Sequence, residues 1–148
     1  MKKITIFSFI LLALALSSVA QKKVTLTIKH MLGTTPFAFS KTATNNLGQS
    51  FNITRVDYYI SQITIIHDGG MLTTVPNKYI LATGSSNVNE DLGTFAVTNV
   101  EGIKFYIGVE APTNNGDPSL WPSTHPLSPK SPSMHWGWSS GYRFIALE

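Results

Sequence analysis

Seventeen consecutive residues, Phe51 to His67, contain neither glycine nor proline and are dominated by isoleucine, tyrosine, valine and threonine. Such a run reads as β-strand. It is also far longer than the usual strand of about 5–6 residues. The apolar parity shifts along it, from Phe51 and Ile53 to Val56, Tyr58 and Ile60. A bulge or bend near Thr54-Arg55 accounts for both features. His67-Asp68-Gly69-Gly70 then reads as a tight turn, with Met71 to Ala82 as the return strand of a hairpin.

The rest of the chain agrees with an all-β fold. Val24 to His30 alternates strictly between apolar and polar, which marks a half-buried strand and places His30 on the core-facing parity. Gly33 to Ser50 is turn-rich, with Pro36 and an Asn45-Asn46-Leu47-Gly48 turn. Thr94 to Val97 and Ile103 to Val109 predict a second hairpin around Asn99 to Gly102. No window holds a 3.6-residue apolar period over a helix's length. The expected fold is an antiparallel β-sandwich, jelly-roll or Greek-key-like. Residues 110–133 hold six of the eight prolines, so this long loop contributes no central strand. Dense aromatic sequence resumes at Met134.

The amino end carries an export signal. Lys2 and Lys3 precede the stretch from Ile4 to Leu16, apolar apart from Thr5 and Ser8, and Ser17-Ser18-Val19-Ala20 supplies small residues for cleavage before Gln21. The apolar stretch spans about 20 Å as helix, short of a bilayer core of roughly 30 Å. Residues 1–20 are therefore expected to be a signal peptide, and residues 21–148 the mature β domain. Without cysteine there is no lipobox and no disulfide, so the expected location is periplasmic or secreted. Removing Lys2 and Lys3 leaves nine basic against eight acidic residues, which gives no reason to expect nucleic acid or an anionic membrane as partner.

The run Met134-His135-Trp136-Gly137-Trp138-Ser139-Ser140-Gly141-Tyr142-Arg143-Phe144 resembles the Met-x-Trp-x-Trp-x-x-Gly-Tyr-x-Phe signature of the MbnP-like copper-binding proteins. His30-Met31-Leu32-Gly33, Val56 to Ser61, Lys104 to Glu110 and His125-Pro126-Leu127-Ser128-Pro129 are similar to the same family in the same order. The resemblance implies an exported, non-enzymatic protein of copper acquisition or storage. It also implies histidine ligands, a tryptophan (Trp136 or Trp138) oxidised to kynurenine, and a modifying or delivery protein as partner. Many members continue further and carry another histidine downstream. Ending at Glu148 in a strand-like run, this chain is expected to be an incomplete domain that lacks that ligand.

The residues allow that chemistry. Imidazole suits copper, and with no cysteine and no methionine cluster histidine is the strong ligand present. His135 lies in the aromatic signature, where Trp136 and Trp138 supply an oxidisable wall. His30 projects inward at a strand end, and His125 sits in the proline-rich loop. Each has a plain alternative as a packed or exposed side chain. His67 is explained by its turn. Nucleophile elbows, His-Glu-x-x-His, phosphate loops and standard Ca²⁺ loops are all absent. A rival reading makes Trp121, Trp136, Trp138 and Tyr142 a surface platform for glycans or peptides.

Overall fold

The computed structural model describes residues 21–137 and 139–148. Residues 1–20, expected to be a signal peptide, and Trp138 lie outside the described residues.

The strands are β1 (Lys22–Ile28), β2 (Met31–Leu32), β3 (Thr35–Pro36), β4 (Thr42–Thr44) and β5 (Ser50–Asn52). After them come β6 (Val56–His67), β7 (Met71–Thr74), β8 (Ile80–Thr83), β9 (Val88–Phe95) and β10 (Val100–Ile107). A single-turn helix α1 (Ala111–Asn114) and a 3-10 turn (Pro118–Leu120) occupy the proline-rich loop. The chain then forms β11 (His135–Gly137), β12 (Gly141–Tyr142) and β13 (Ile145–Leu147). Pairing between these strands is antiparallel throughout, and the fold is an all-β sandwich.

The long run seen in the sequence bends where expected. β5 ends at Asn52 and β6 begins at Val56, and backbone bonds between Glu148 and both Thr54 and Arg55 hold the corner. β6 is the central strand. One of its edges carries β8 and then β7, the other β13 and then β10. The return strand expected over Met71 to Ala82 is thus two short strands interrupted at residues 75–79.

A bulge in β6 decides what faces where. Between Lys104 and Tyr106 the register of β10 slips against Thr64 and Ser61, and Gln62 takes φ 50°. The extra residue puts Ile60, Ile63 and Ile65 on one face despite their uneven spacing. They form an aliphatic core with Val75, Ile80 and Leu92, closed by Val24, Leu26 and Ile28 of β1 and by Val88 and Phe95 of β9. Tyr59 points the opposite way, into a second core beneath the proline-rich loop.

The second hairpin is a correction. β9 pairs with β1 and β10 with β6, so the chain crosses from one layer to the other between them. Residues 96–99 make the crossing. Val97 is buried there, and the Asp68 carboxylate accepts the Thr98 and Asn99 amides. The turn after β6 thus fixes a segment that the sequence signals assign to a hairpin of its own.

Candidate metal centre

The second core is built from a loop, and prolines shape its chemistry. Proline carbonyls accept hydrogen bonds while proline nitrogens donate none. Side chains therefore join the remaining backbone amides as donors. Tyr59 Oη donates to the Pro126 carbonyl at 3.3 Å, Tyr142 Oη to Leu127 at 2.7 Å, and Ser128 Oγ and Lys130 Nζ to His125, both at 2.8 Å. Burial pushes the Tyr142 hydroxyl up to about 12 and the Tyr59 hydroxyl higher still, so both remain protonated donors at neutral pH. Their rings meet edge to face at 5.4 Å. Leu127, Met134, Val109 and Ala146 complete the core.

Tyr142 is seated from below by the loop's helix. Asn114 Oδ1 accepts the Tyr142 amide at 2.8 Å, and Gly141 takes φ 71° directly against Asn114, where a Cβ has no room. The Gly-Tyr pair of the signature is thus a docking element for α1.

His125 and His135 flank this same core. The His125 ring stacks on Trp121 at 4.1 Å and 9°, and Trp121 packs against the core cluster. Nδ1 of His125 accepts the Leu127 amide at 3.2 Å. Burial, and then the Lys130 charge, hold its pKa below the ordinary range, which favours the neutral imidazole that metals bind. His135, on β11, sits edge-on to Tyr142 at 5.0 Å, and its Nδ1 accepts the Gly137 amide at 3.1 Å.

Arg55 positions the segment leading into His135. Its Nη2 donates to the carbonyls of Pro132 and Ser133, at 3.4 and 3.1 Å, and to Met134 Sδ at 3.2 Å. Its Nε donates to Asp57 at 2.7 Å. Neither Arg55 nor the Glu110–Tyr79–Thr113 hydrogen-bond cluster beside Trp121 is singled out by the sequence reading. The defining partners, Pro132 to Met134 for Arg55 and Tyr79 for Glu110, lie too far away in the chain for local signals to reveal them.

The other candidates lie elsewhere. His30 is half-buried on the expected parity, and its Nε2 meets the Tyr58 hydroxyl at 3.0 Å. Tyr58 packs against the aliphatic core while Tyr59 faces the aromatic one, so His30 is across the sheet from His125 and His135. His67 is buried with both nitrogens engaged, Nδ1 with Asp68 at 3.0 Å and Nε2 with Thr73 at 2.8 Å. Trp136 is 66 % exposed with the Arg143 guanidinium 3.8 Å over its ring. Tyr142 is buried and Trp121 half-buried, so these aromatics do not share one surface.

Two imidazoles bordering one aromatic core match copper in donor type. No group of three His, Cys, Asp or Glu placed to hold a metal occurs among the described residues. Compared with known protein families, residues 21–148 match the family described as MbnP. No curated protein and no solved structure matches.

Proposed function

We propose, from the premise that the chain belongs to the MbnP family, that it is an exported copper-binding protein without catalytic activity of its own. The observation that carries this reading is the convergence of His125 and His135 on the Tyr142–Trp121 core. These two residues would hold the metal, and copper when bound supplies redox chemistry at an aromatic wall. His30, across the sheet and bonded to Tyr58, is left out of that pair. Export rests on the amino-terminal signal pattern, and a periplasmic or secreted location follows from it. Oxidation of Trp136 or Trp138 by a partner enzyme belongs to the same proposal; Trp136 is exposed and adjoins His135 in β11.

Each imidazole must change its hydrogen bonding to bind through Nε2. A neutral ring whose Nδ1 accepts an amide carries its proton on Nε2. Holding copper through Nε2 would require the proton on Nδ1 instead, in place of the contacts from the Leu127 and Gly137 amides. The two i, i+2 turns are the part of the chain expected to rearrange.

The test is copper content of the mature protein after loading and washing. His125→Ala and His135→Ala should each lower the stoichiometry, and His30→Ala should leave it unchanged. A wild-type protein that retains no copper overturns the reading.

A further inference from the structure

Away from the histidines, two cavities of about 440 and 290 Å³ flank the β6 bulge and share Gln62, Tyr106 and Glu110. The smaller also borders Ser61, Gly108 and Phe144. Two of its polar atoms are buried without a hydrogen-bond partner among the described residues. Ser61 is 1 % exposed, yet its Oγ bonds nothing. Glu110 Oε1 accepts from Tyr79 and from Thr113, whereas Oε2 accepts from no other residue among the described ones. A buried hydroxyl and a buried carboxylate oxygen left unpaired are each unfavourable. Finding both at one cavity points to a ligand that pairs them.

The charge of the cavity selects the ligand. Glu110 is the one ionisable acid in its lining, and no lysine, arginine or histidine borders it. Burial raises the Glu110 carboxyl, but Thr113, Tyr79 and its own backbone amide together more than offset this and hold it below its ordinary range, so it is ionised. Lys78 borders only the larger cavity, where Glu90 holds its ammonium at 2.8 Å. The Tyr106 and Phe144 rings, both exposed, stand at the smaller one, which suits a cation on their faces. The backbone here is specialised as well. Gln62 adopts φ 50° at the bulge, and Gly108 takes φ 126° so closely under Phe144 that a side chain would clash.

We propose that the smaller cavity binds an organic cation, a primary ammonium or guanidinium group, through Glu110 Oε2 and Ser61 Oγ with Tyr106 and Phe144 as its aromatic rim. The cation is either a free small amine or a lysine or arginine side chain of a partner polypeptide.

Titration calorimetry on the metal-free mature protein tests this with n-butylammonium, methylguanidinium, an acetyl-Gly-Lys-Gly-amide peptide and neutral n-butanol. Saturable binding of the cations and none of n-butanol is expected. Glu110→Gln should weaken it by about tenfold or more, and Ser61→Ala by roughly three- to tenfold. Ser61→Ala should also raise Tm without ligand, since it removes a buried unpaired hydroxyl. It keeps the test decisive if Glu110→Gln disturbs folding. A peptide that binds as well as the free amine assigns the site to a protein side chain; binding of the amine alone assigns it to a small molecule. Absence of saturable cation binding, or unchanged affinity in both variants, overturns the proposal and leaves the two atoms to water.

Discussion

The two cores on either side of β6 are built from different materials. The one under β1 and β9 is aliphatic, with Ile60, Ile63, Ile65, Ile80 and Leu92 at its centre. The one under the proline-rich loop centres on Tyr59, Tyr142, Leu127 and Met134. The difference follows from what covers each face. Strands satisfy their own backbone through the ladder, so their side chains can be purely apolar. A loop with six prolines is short of backbone donors for its carbonyls, and its own Ser128 and Lys130, with tyrosine hydroxyls from the strands and Arg55, provide them. The aliphatic core is therefore suited to stability, and the polar-laced one to holding functional groups in place.

The comparison breaks most easily at its strongest point. Ile63 is fully buried in the aliphatic core, so Ile63→Ala should destabilise by about 4 kcal/mol in urea unfolding. Copper retention measured well below the lowered Tm should be unchanged. A loss of copper equal to that of His135→Ala would show that the two cores are not separable. Next in size is Arg55→Ala, at about 3 kcal/mol, because it strands Asp57 and removes the donor to Pro132, Ser133 and Met134. This change should also lower copper retention, since the freed segment leads into His135. Arg55→Lys keeps the charge but not the forked donor geometry, and should recover stability better than copper retention.

Tyr142→Phe probes the aromatic core more gently. It leaves the Leu127 carbonyl without its 2.7 Å donor while keeping the ring, for an expected loss of about 2 kcal/mol. Protection of amides in residues 125–128 should fall by hydrogen exchange, with strands β1 and β9 unaffected. Uniform loss of protection across both layers would refute the division.

The aliphatic side was the more legible from sequence. Alternation in Val24 to His30 gave the correct inward face, and the parity shift gave the bend before Val56. The bulge at Gln62 was hidden because Ile60, Ile63, Ile65 and Ile66 supply apolar residues in either register. The failed second hairpin has a similar cause. Asn99 to Gly102 marks where the chain turns, but not which strand it turns toward, and Asp68 decides that from thirty positions away. For the site, residue chemistry put forward His30, His125 and His135 alike, and neither the opposite-face position of His30 nor the Arg55 clamp could be read locally. Contacts such as Arg55 to Met134 join residues 79 positions apart.

The smallest expected effect distinguishes the two regions by how each holds a carboxylate. At the end of the aliphatic core, Asp68 is kept below its ordinary range first by the Thr98 amide and then by His67 and the Asn99 amide. Beside the aromatic core, Glu110 is kept low by two hydroxyls and its own backbone amide working against burial. A depressed folded pKa means that each group stabilises the fold above its unfolded value, near 3.8 for Asp68 and 4.5 for Glu110, and loses that contribution as pH falls through the folded pKa. Urea midpoints of the metal-free protein should therefore fall below about pH 4.5, and the slope should be shallower in both Asp68→Asn and Glu110→Gln. The variants should part in where they act. Asp68→Asn should loosen residues 96–99, whose amides it holds, while Glu110→Gln should loosen α1 through Thr113. Exchange mapped at pH 4 reads both, and the same residues loosening in both variants would mean that acid acts on one cooperative unit rather than on two differently built cores.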